Sequence, residues 1–194
     1  MITYEFLHRA QEWYSYQYKY IEVPWLVSEA VSDITRPVFA EQYVVTKTGK
    51  RKTLIASGEQ GFLYLICKGQ IPPGKYQTIT PCFRSEDFDE YHTKYFMKNE
   101  LIEFGVPRDK EDEQLDLMAR NAKDLFADCG LDPMRLDVIK TEEGFDIMHI
   151  GFDGYAVELG SYGIRECAFV RWIYGTGLAE PRFSRVREFN LRND

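Results

Sequence analysis

The sequence predicts an α+β fold, an antiparallel β-sheet flanked by helices, on three observations. Short runs rich in β-branched and aromatic residues recur between polar turns, as in YQTITPCF, FDIMHIGF and YAVELGSYG. Helical periodicity is clearest over Pro107 to Cys129, where Leu115, Met118, Ala122, Leu125 and Cys129 recur three or four apart, acids crowd the first turn and Gly130 closes it. No repeat and no linker divides the 194 residues, a length suited to one domain with a core. Residues 1 to 194 are therefore read as a single domain, with 1 to 22 as an N-terminal helical extension.

Each element has a local reason. Tyr4 to Tyr20 is aromatic-rich and free of Gly and Pro, which predicts a helix with one packed face. EVPWLVSEAVSD predicts a second helix, with Pro24 in its first turn and an end before Pro37. TKTGKRK, at Thr46 to Lys52, reads as a hairpin turning at Thr48-Gly49 between YVVT and TLIA. QGFLYLICK reads as a helix ended by Gly69 and IPPG. YQTITPCF and KYFMKNELIEF predict two strands joined by a charged loop, and FDIMHIGF and YAVELGSYG two more around a Phe152-Asp153-Gly154 turn. CAFVRWIYGTGLAEPRFSRV predicts a strand running through glycines into a helix.

Composition narrows the class. Apolar residues make up 44% and charged residues 28%, ordinary for a globular protein, and no apolar run approaches a bilayer span. The opening MITYEFLHRAQEWY lacks a basic segment followed by an apolar one, so a cytoplasmic protein with no membrane association is expected. Cys67, Cys82, Cys129 and Cys167 are scattered without CxxC spacing, which predicts free buried thiols rather than a metal site. With 24 basic against 31 acidic side chains, net charge −7, a broad nucleic-acid footprint is disfavoured. The basic stretch Thr46 to Lys52 serves better as a solvated hairpin tip.

Chemistry concentrates in five patterns that occur in one order: Ser57-Gly58-Glu59, Phe83-Arg84-Ser85-Glu86, His92 with Phe96, Glu158 with Ser161, and Gly175-x-Gly177 leading to Arg182. Taken singly, each has a bland explanation. Phe83 and Phe96 suit a core, Arg84 with Glu86 suits a surface ion pair worth under about 1 kcal/mol, and the glycines suit a bend. Their joint order is what carries weight. TPCFRSE followed by HTKYF resembles motif 2 of the class II aminoacyl-tRNA synthetases, and its wording is most similar to the seryl branch. YAVELGSYG resembles the Glu-x-x-Ser strand before motif 3, YGTGLAEPR resembles motif 3, and SEAVSDITRPVF loosely resembles motif 1. The resemblance runs from about Val23 to Val186.

The resemblance implies an ATP-dependent ligase that activates a small or polar amino acid as its adenylate, with ATP and Mg2+ as cofactors. Arg84 and Arg182 are implied as catalytic, and the planar fork of an arginine suits holding a carboxylate and an α-phosphate together. ATP contacts are implied for Arg84, Glu86 (the adenine amino group), Phe96 (stacking on the base), His92 (the outer phosphates), Gly177 and Arg182. Glu158 and Ser161 would hold the metal, since magnesium on ATP needs few protein oxygens. Ser57, Glu59, Arg84, Glu100 and Gly175 are implied at the amino acid, Glu59 receiving its α-ammonium and Glu100 facing its side chain. Tyr174 departs from the small polar residue the seryl branch has before the motif 3 glycine. The acceptor is tRNA, a carrier-protein thiol or a small nucleophile, and no tRNA-gripping domain is recognised. Motif 1 implies a homodimer, with Trp25, Leu26 and Val27 as its apolar surface. The rival from another class is a non-catalytic paralogue that binds amino acid or nucleotide and regulates a partner.

Overall fold

A computed structural model of the chain describes residues 1–36, 41–85, 91, 93–152 and 154–191. The helix predicted from Tyr4 ends early: α1 spans Tyr4–Tyr14 and buries Phe6, Leu7, Ala10 and Tyr14. Its continuation is captured by a sheet edge. Lys19–Tyr20 forms β1, parallel to Tyr76 and Gln77, and the Tyr18 hydroxyl donates to the buried Glu103, which also pairs with Lys75 at 3.0 Å. The second predicted helix also yields to strand pairing at its start. Leu26–Val27 is β2, opposite Leu54 and Thr53, so the helix α2 covers only Glu29–Ser32. Val27 is buried in the chain's own core, which takes it out of the apolar surface expected for a dimer and leaves exposed Trp25 with half-buried Leu26. Pro37 lies outside the described residues.

The basic hairpin forms as predicted, with β3 at Val44–Lys47 and β4 at Lys50–Leu54. Thr48 and Gly49 both have positive φ, 51° and 76°, the backbone of a primed two-residue turn. Helix α3 spans Gly58–Cys67. The long strands β5, Gly74–Phe83, and β6, Tyr95–Phe104, pair along their whole length. A 3₁₀ turn at Arg108–Lys110 leads into α4, Glu111–Asp128, which Gly130 closes at φ 101°. A further strand was not foreseen: β7, Leu136–Lys140, lacks alternation and is exposed at every position but the first. Strands β8, Gly144–Ile150, β9, Ala156–Cys167, and β10, Val170–Glu180, follow, and α5, Arg182–Leu191, ends the described chain. Of the predicted turn Phe152-Asp153-Gly154, Asp153 lies outside the described residues.

Seven strands form one sheet in the order β1-β5-β6-β10-β9-β8-β7, antiparallel except at β1; β2, β4 and β3 form a second, small sheet. The two faces of the large sheet differ. One carries Leu101, Tyr162, Ile173 and Leu178 into a core with α1, α4 and α5. On the other, residue type changes along each strand. Tyr76 on β5, Ile102 and Phe104 on β6 and Trp172 on β10 pack under Val27, Phe62 and Leu63. Farther along the same face come Thr80, Lys98, Glu100 and Thr176, paired Thr80↔Lys98 and Glu100↔Thr176. These polar residues are largely buried too, so the face turns from apolar to charged beneath its cover. Cys82 and Cys129 are buried thiols, whereas Cys67 is exposed and Cys167 half-buried, against expectation. Burial pushes the Cys82 thiol up to about 12.

His149, on β8 and 2% exposed, gives the fold a pH dependence. Burial, with Arg135 adding to it and Asp132 opposing, holds its imidazolium pKa below the usual value. A depressed folded-state pKa means that stability is present above the unfolded value of 6.5 and is lost as pH falls through the folded one. Thermal melts are expected to lose Tm between about pH 7 and pH 5, less steeply in His149→Phe. Equal slopes in both proteins would remove His149 as the cause.

Candidate nucleotide and amino-acid site

The charged end of the sheet face is the floor of a cleft. One lobe is lined by Arg84, Phe96, Lys98, Thr176 and Arg182 among others. An adjoining lobe of about 270 Å3 is lined by Ser57, Glu59, Glu100, Ser161, Arg165 and Tyr174 among others. Arg84, Lys98, Glu158 and Thr176 line both, so the two lobes are continuous.

Arg84 follows β5 and Arg182 follows β10, with β6 and its Lys98 on the strand between them. Arg84 Nε donates to the Ala56 carbonyl at 3.3 Å, and its guanidinium lies 5.2 Å from the Phe96 ring centroid. The register explains that contact: Phe96 stands opposite Cys82, on the face Arg84 also uses. Arg182 Nη1 donates to the Glu158 carbonyl at 2.9 Å and its carboxylate at 3.4 Å.

Glu158 and Ser161 are three apart, which in a regular strand would put them on opposite faces. A β-bulge corrects this. Ile147 pairs with Gly160 and Met148 with Glu158, so Leu159 is the extra residue and both side chains reach the cleft. Asp146, opposite Ser161, is an adjacent acid. Its carboxyl is raised above the usual range by burial, with the Ser161 hydrogen bond opposing and Glu158 adding to the rise. A carboxylate, a hydroxyl and an adjacent acid are hard oxygen donors of the kind magnesium takes when phosphates and water fill the rest of its shell. Among the described residues no group of three or more His, Cys, Asp or Glu forms a self-sufficient metal cage.

In the second lobe, Ser57 and Gly58 open α3. A β-carbon on Gly58 would stand 3.0 to 3.1 Å from Thr78, Glu100 and Thr80, so a glycine lets the helix start seat on β5 and β6. The Gly58 N–H donates to Glu100 at 3.2 Å, a carboxylate at a helix N-terminus, and Lys98 Nζ donates to the same side chain at 2.9 Å. Both oxygens of Glu59 are engaged, one by Trp172 Nε1 at 2.7 Å and one by Arg165 Nη1 at 2.8 Å. Glu59 thus anchors Arg165 while it lines the lobe. Burial raises the Glu59 carboxyl and Arg165 opposes the rise.

Gly175 and Gly177 have the side that a β-carbon would occupy turned to the helices. A β-carbon at Gly175 would meet Met118 Sδ at 2.4 Å, and one at Gly177 would meet Asn99 Oδ1 at 2.0 Å. Both glycines therefore answer to packing on the helix side of β10, and neither lines the cleft lobes. Glu86 and His92 lie outside the described residues. The sequence reading passed over Lys98, Arg165, Thr176 and Asp146. The first was legible, since Lys98 alternates with Phe96 and Glu100 on one face of β6.

No family model and no curated protein matches this sequence. Solved structures do match. The chain superposes on the seryl-tRNA synthetase of Pyrococcus horikoshii complexed with ATP at a TM-score of 0.78 and 17% identity, over 94% of this chain and 49% of that one. The chain has the fold of a class II aminoacyl-tRNA synthetase catalytic domain. A cytoplasmic serine-tRNA ligase from Naegleria fowleri in complex with AMP gives a TM-score of 0.74 at 19% identity, covering 95% of this chain and 47% of that one. A pyrrolysyl-tRNA synthetase from Desulfitobacterium hafniense gives 0.69 at 20%, covering 95% and 69%. The chain spans about half the length of the two seryl enzymes. Within the synthetase fold the cleft occupies the charged end of the large sheet, and no helix among the described residues is long and apolar enough to cross a membrane.

Proposed function

We propose that this protein activates an amino acid with ATP, forming an aminoacyl-adenylate and pyrophosphate. The observation that carries the reading is that Arg84 and Arg182 line one cleft from strands on either side of Lys98. In the reaction a carboxylate oxygen attacks the α-phosphorus and the bond to pyrophosphate breaks. No proton has to move from the carboxylate, which is ionised at pH 7, so the protein's work is positioning and charge stabilisation.

Arg84 and Lys98 meet the negative charge where carboxylate and α-phosphate converge, while Arg182 meets the triphosphate from the far wall. Phe96 offers a flat face for the base, and Glu86 and His92 keep the adenine and outer-phosphate roles that their motif implies. Glu158 and Ser161 would hold magnesium, which when bound screens the triphosphate. Ser57 and Glu100 border the amino-acid compartment. ATP-bound and AMP-bound neighbours of the same fold support nucleotide binding. The amino acid is then passed to tRNA, a carrier-protein thiol or a small nucleophile, in the cytoplasm.

Pyrophosphate exchange into ATP, run over all twenty amino acids, tests this reading. Exchange with at least one is expected. ATP binding without exchange from any would favour a sensor that has kept the fold and lost the reaction. The chain is also proposed to be a homodimer, with Trp25 in the contact. Light scattering at micromolar concentration is expected to give twice the chain mass, and Trp25→Glu to shift it toward a monomer. A monomeric native protein contradicts that part.

A further inference from the structure

We infer that Arg165 sets the length and charge of the amino-acid side chain the compartment accepts, an inference that rests on the activation reading above. Its guanidinium stands between two hollows. The inner one is the lobe of Ser57, Glu59 and Glu100; the outer, open to solvent, is bordered by Ile34, Glu143 and Glu166, and Arg165 lines both. Its side chain forms that partition together with Thr35 and Arg36, which also line both.

The partition is held from three sides. Nη1 donates to Glu59 at 2.8 Å, Nη2 to Glu143 at 2.7 Å and Nε to the same carboxylate at 3.1 Å. The guanidinium also lies 4.1 Å from the Tyr174 ring centroid. The partners are themselves fixed. Trp172 holds the other Glu59 oxygen, and the Tyr174 hydroxyl donates to Glu143 at 2.6 Å. A β-carbon on Gly163 would stand 2.8 Å from the Tyr174 ring, so the glycine opposite makes room for that ring. The Glu143 carbonyl accepts from Ile164 N at 3.1 Å, tying the β7–β8 turn to the strand that carries Arg165. The Arg165 hydrogen bond keeps the Glu143 carboxyl below its usual range, with burial opposing and Tyr174 assisting.

A cation shared by two carboxylates closes a wall and does not attract a third anion. Arg165 is already held by Glu59 and Glu143, and Lys98 in the same lobe by Glu100, so an acidic side chain would have to compete with carboxylates in place for both cations. A long apolar side chain would have to displace a guanidinium from charge-assisted hydrogen bonds, the strong kind, and leave Glu59 buried beside it. What fits is a short, uncharged side chain of the size of those of glycine, alanine or serine.

Calorimetric titration with non-hydrolysable aminoacyl-sulfamoyl adenosines carrying glycine, alanine, serine, leucine or aspartate reads the compartment without requiring turnover. The native protein is expected to bind the first three at least about tenfold more tightly than the leucine and aspartate compounds. Arg165→Ala is expected to narrow the leucine penalty relative to alanine by about tenfold or more, a change of ranking that mere loosening of the fold does not produce. Equal native affinity for leucine or aspartate, or an unaltered ranking in folded Arg165→Ala, overturns the inference. If that variant does not fold, Glu143→Ala frees the guanidinium on its outer side only; it should shift the ranking the same way, and an unchanged ranking there overturns the inference too. Binding of none of the five compounds defeats the activation reading itself, and this inference with it.

Discussion

Arg84→Ala is expected to lower amino-acid-dependent pyrophosphate exchange by about 10² to 10³-fold, the usual cost of removing one fixed donor from developing transition-state charge. The expectation rests on how the side chain is held. The Ala56 carbonyl fixes Nε at 3.3 Å, and the guanidinium lies 5.2 Å from the Phe96 ring centroid, which aims the fork before any ligand arrives. Preorganisation of that kind is what makes a charge contact stronger in the transition state than in the bound substrate. The loss should therefore fall mainly on kcat for exchange, with a smaller rise in the KM for ATP. Arg84→Lys should recover little of it, because a point charge cannot span carboxylate and phosphate as a planar fork does. A loss below about fivefold in folded Arg84→Ala would take Arg84 out of the reaction.

Gly177→Ala is expected to destabilise the fold by about 2 to 3 kcal/mol, the range of overpacking in a closed core, and to lower Tm by about 5 to 10 °C. The new β-carbon would sit 2.0 Å from Asn99 Oδ1 and 3.0 Å from the Tyr14 ring. Neither neighbour moves freely. Asn99 Nδ2 donates to Gln77 Oε1 at 3.0 Å, and Gln77 Nε2 donates in turn to the carbonyls of Gln11 and Tyr18. Tyr14 is a core residue of α1, 2% exposed. Gly177 is also the residue at which β10 slips register against β6, between Thr176↔Glu100 and Leu178↔Asn99. A clash there displaces Thr176 and the approach to Arg182 together, so exchange activity should fall with stability. A melting curve for Gly177→Ala that overlays the native one would contradict this packing account.

The fold class was legible in the sequence because the long strands are runs of β-branched and aromatic residues between polar turns and α4 keeps its period over 18 residues. Strand boundaries set by pairing partners were not legible. Lys19–Tyr20 and Leu26–Val27 read as helix because nothing local opposes it; strand edges at Tyr76 and Leu54 decide otherwise. β7 escaped notice because no face of it is consistently buried. In the site, the order of motifs gave Arg84, Glu158, Ser161 and Arg182, and the structure brings all four to the cleft. It could not give the direction in which a residue without a side chain points. Gly175 and Gly177 sit in a motif associated with ligand contact, yet their open sides face Met118 and Asn99. Nor does a linear pattern announce the chain of contacts from Trp172 through Glu59, Arg165 and Glu143 to Tyr174, which joins residues up to 113 positions apart.

A calorimetric titration of ATP with Mg2+ into the native protein, Arg84→Ala, Arg182→Ala and the surface control Arg120→Ala tests the central claim most directly. One site per chain is predicted, weakened at least about tenfold by loss of either cleft arginine, as expected for a charge-assisted phosphate contact, and unchanged by loss of Arg120. ATP affinity equal in all four proteins would contradict the claim that the two arginines grip one nucleotide.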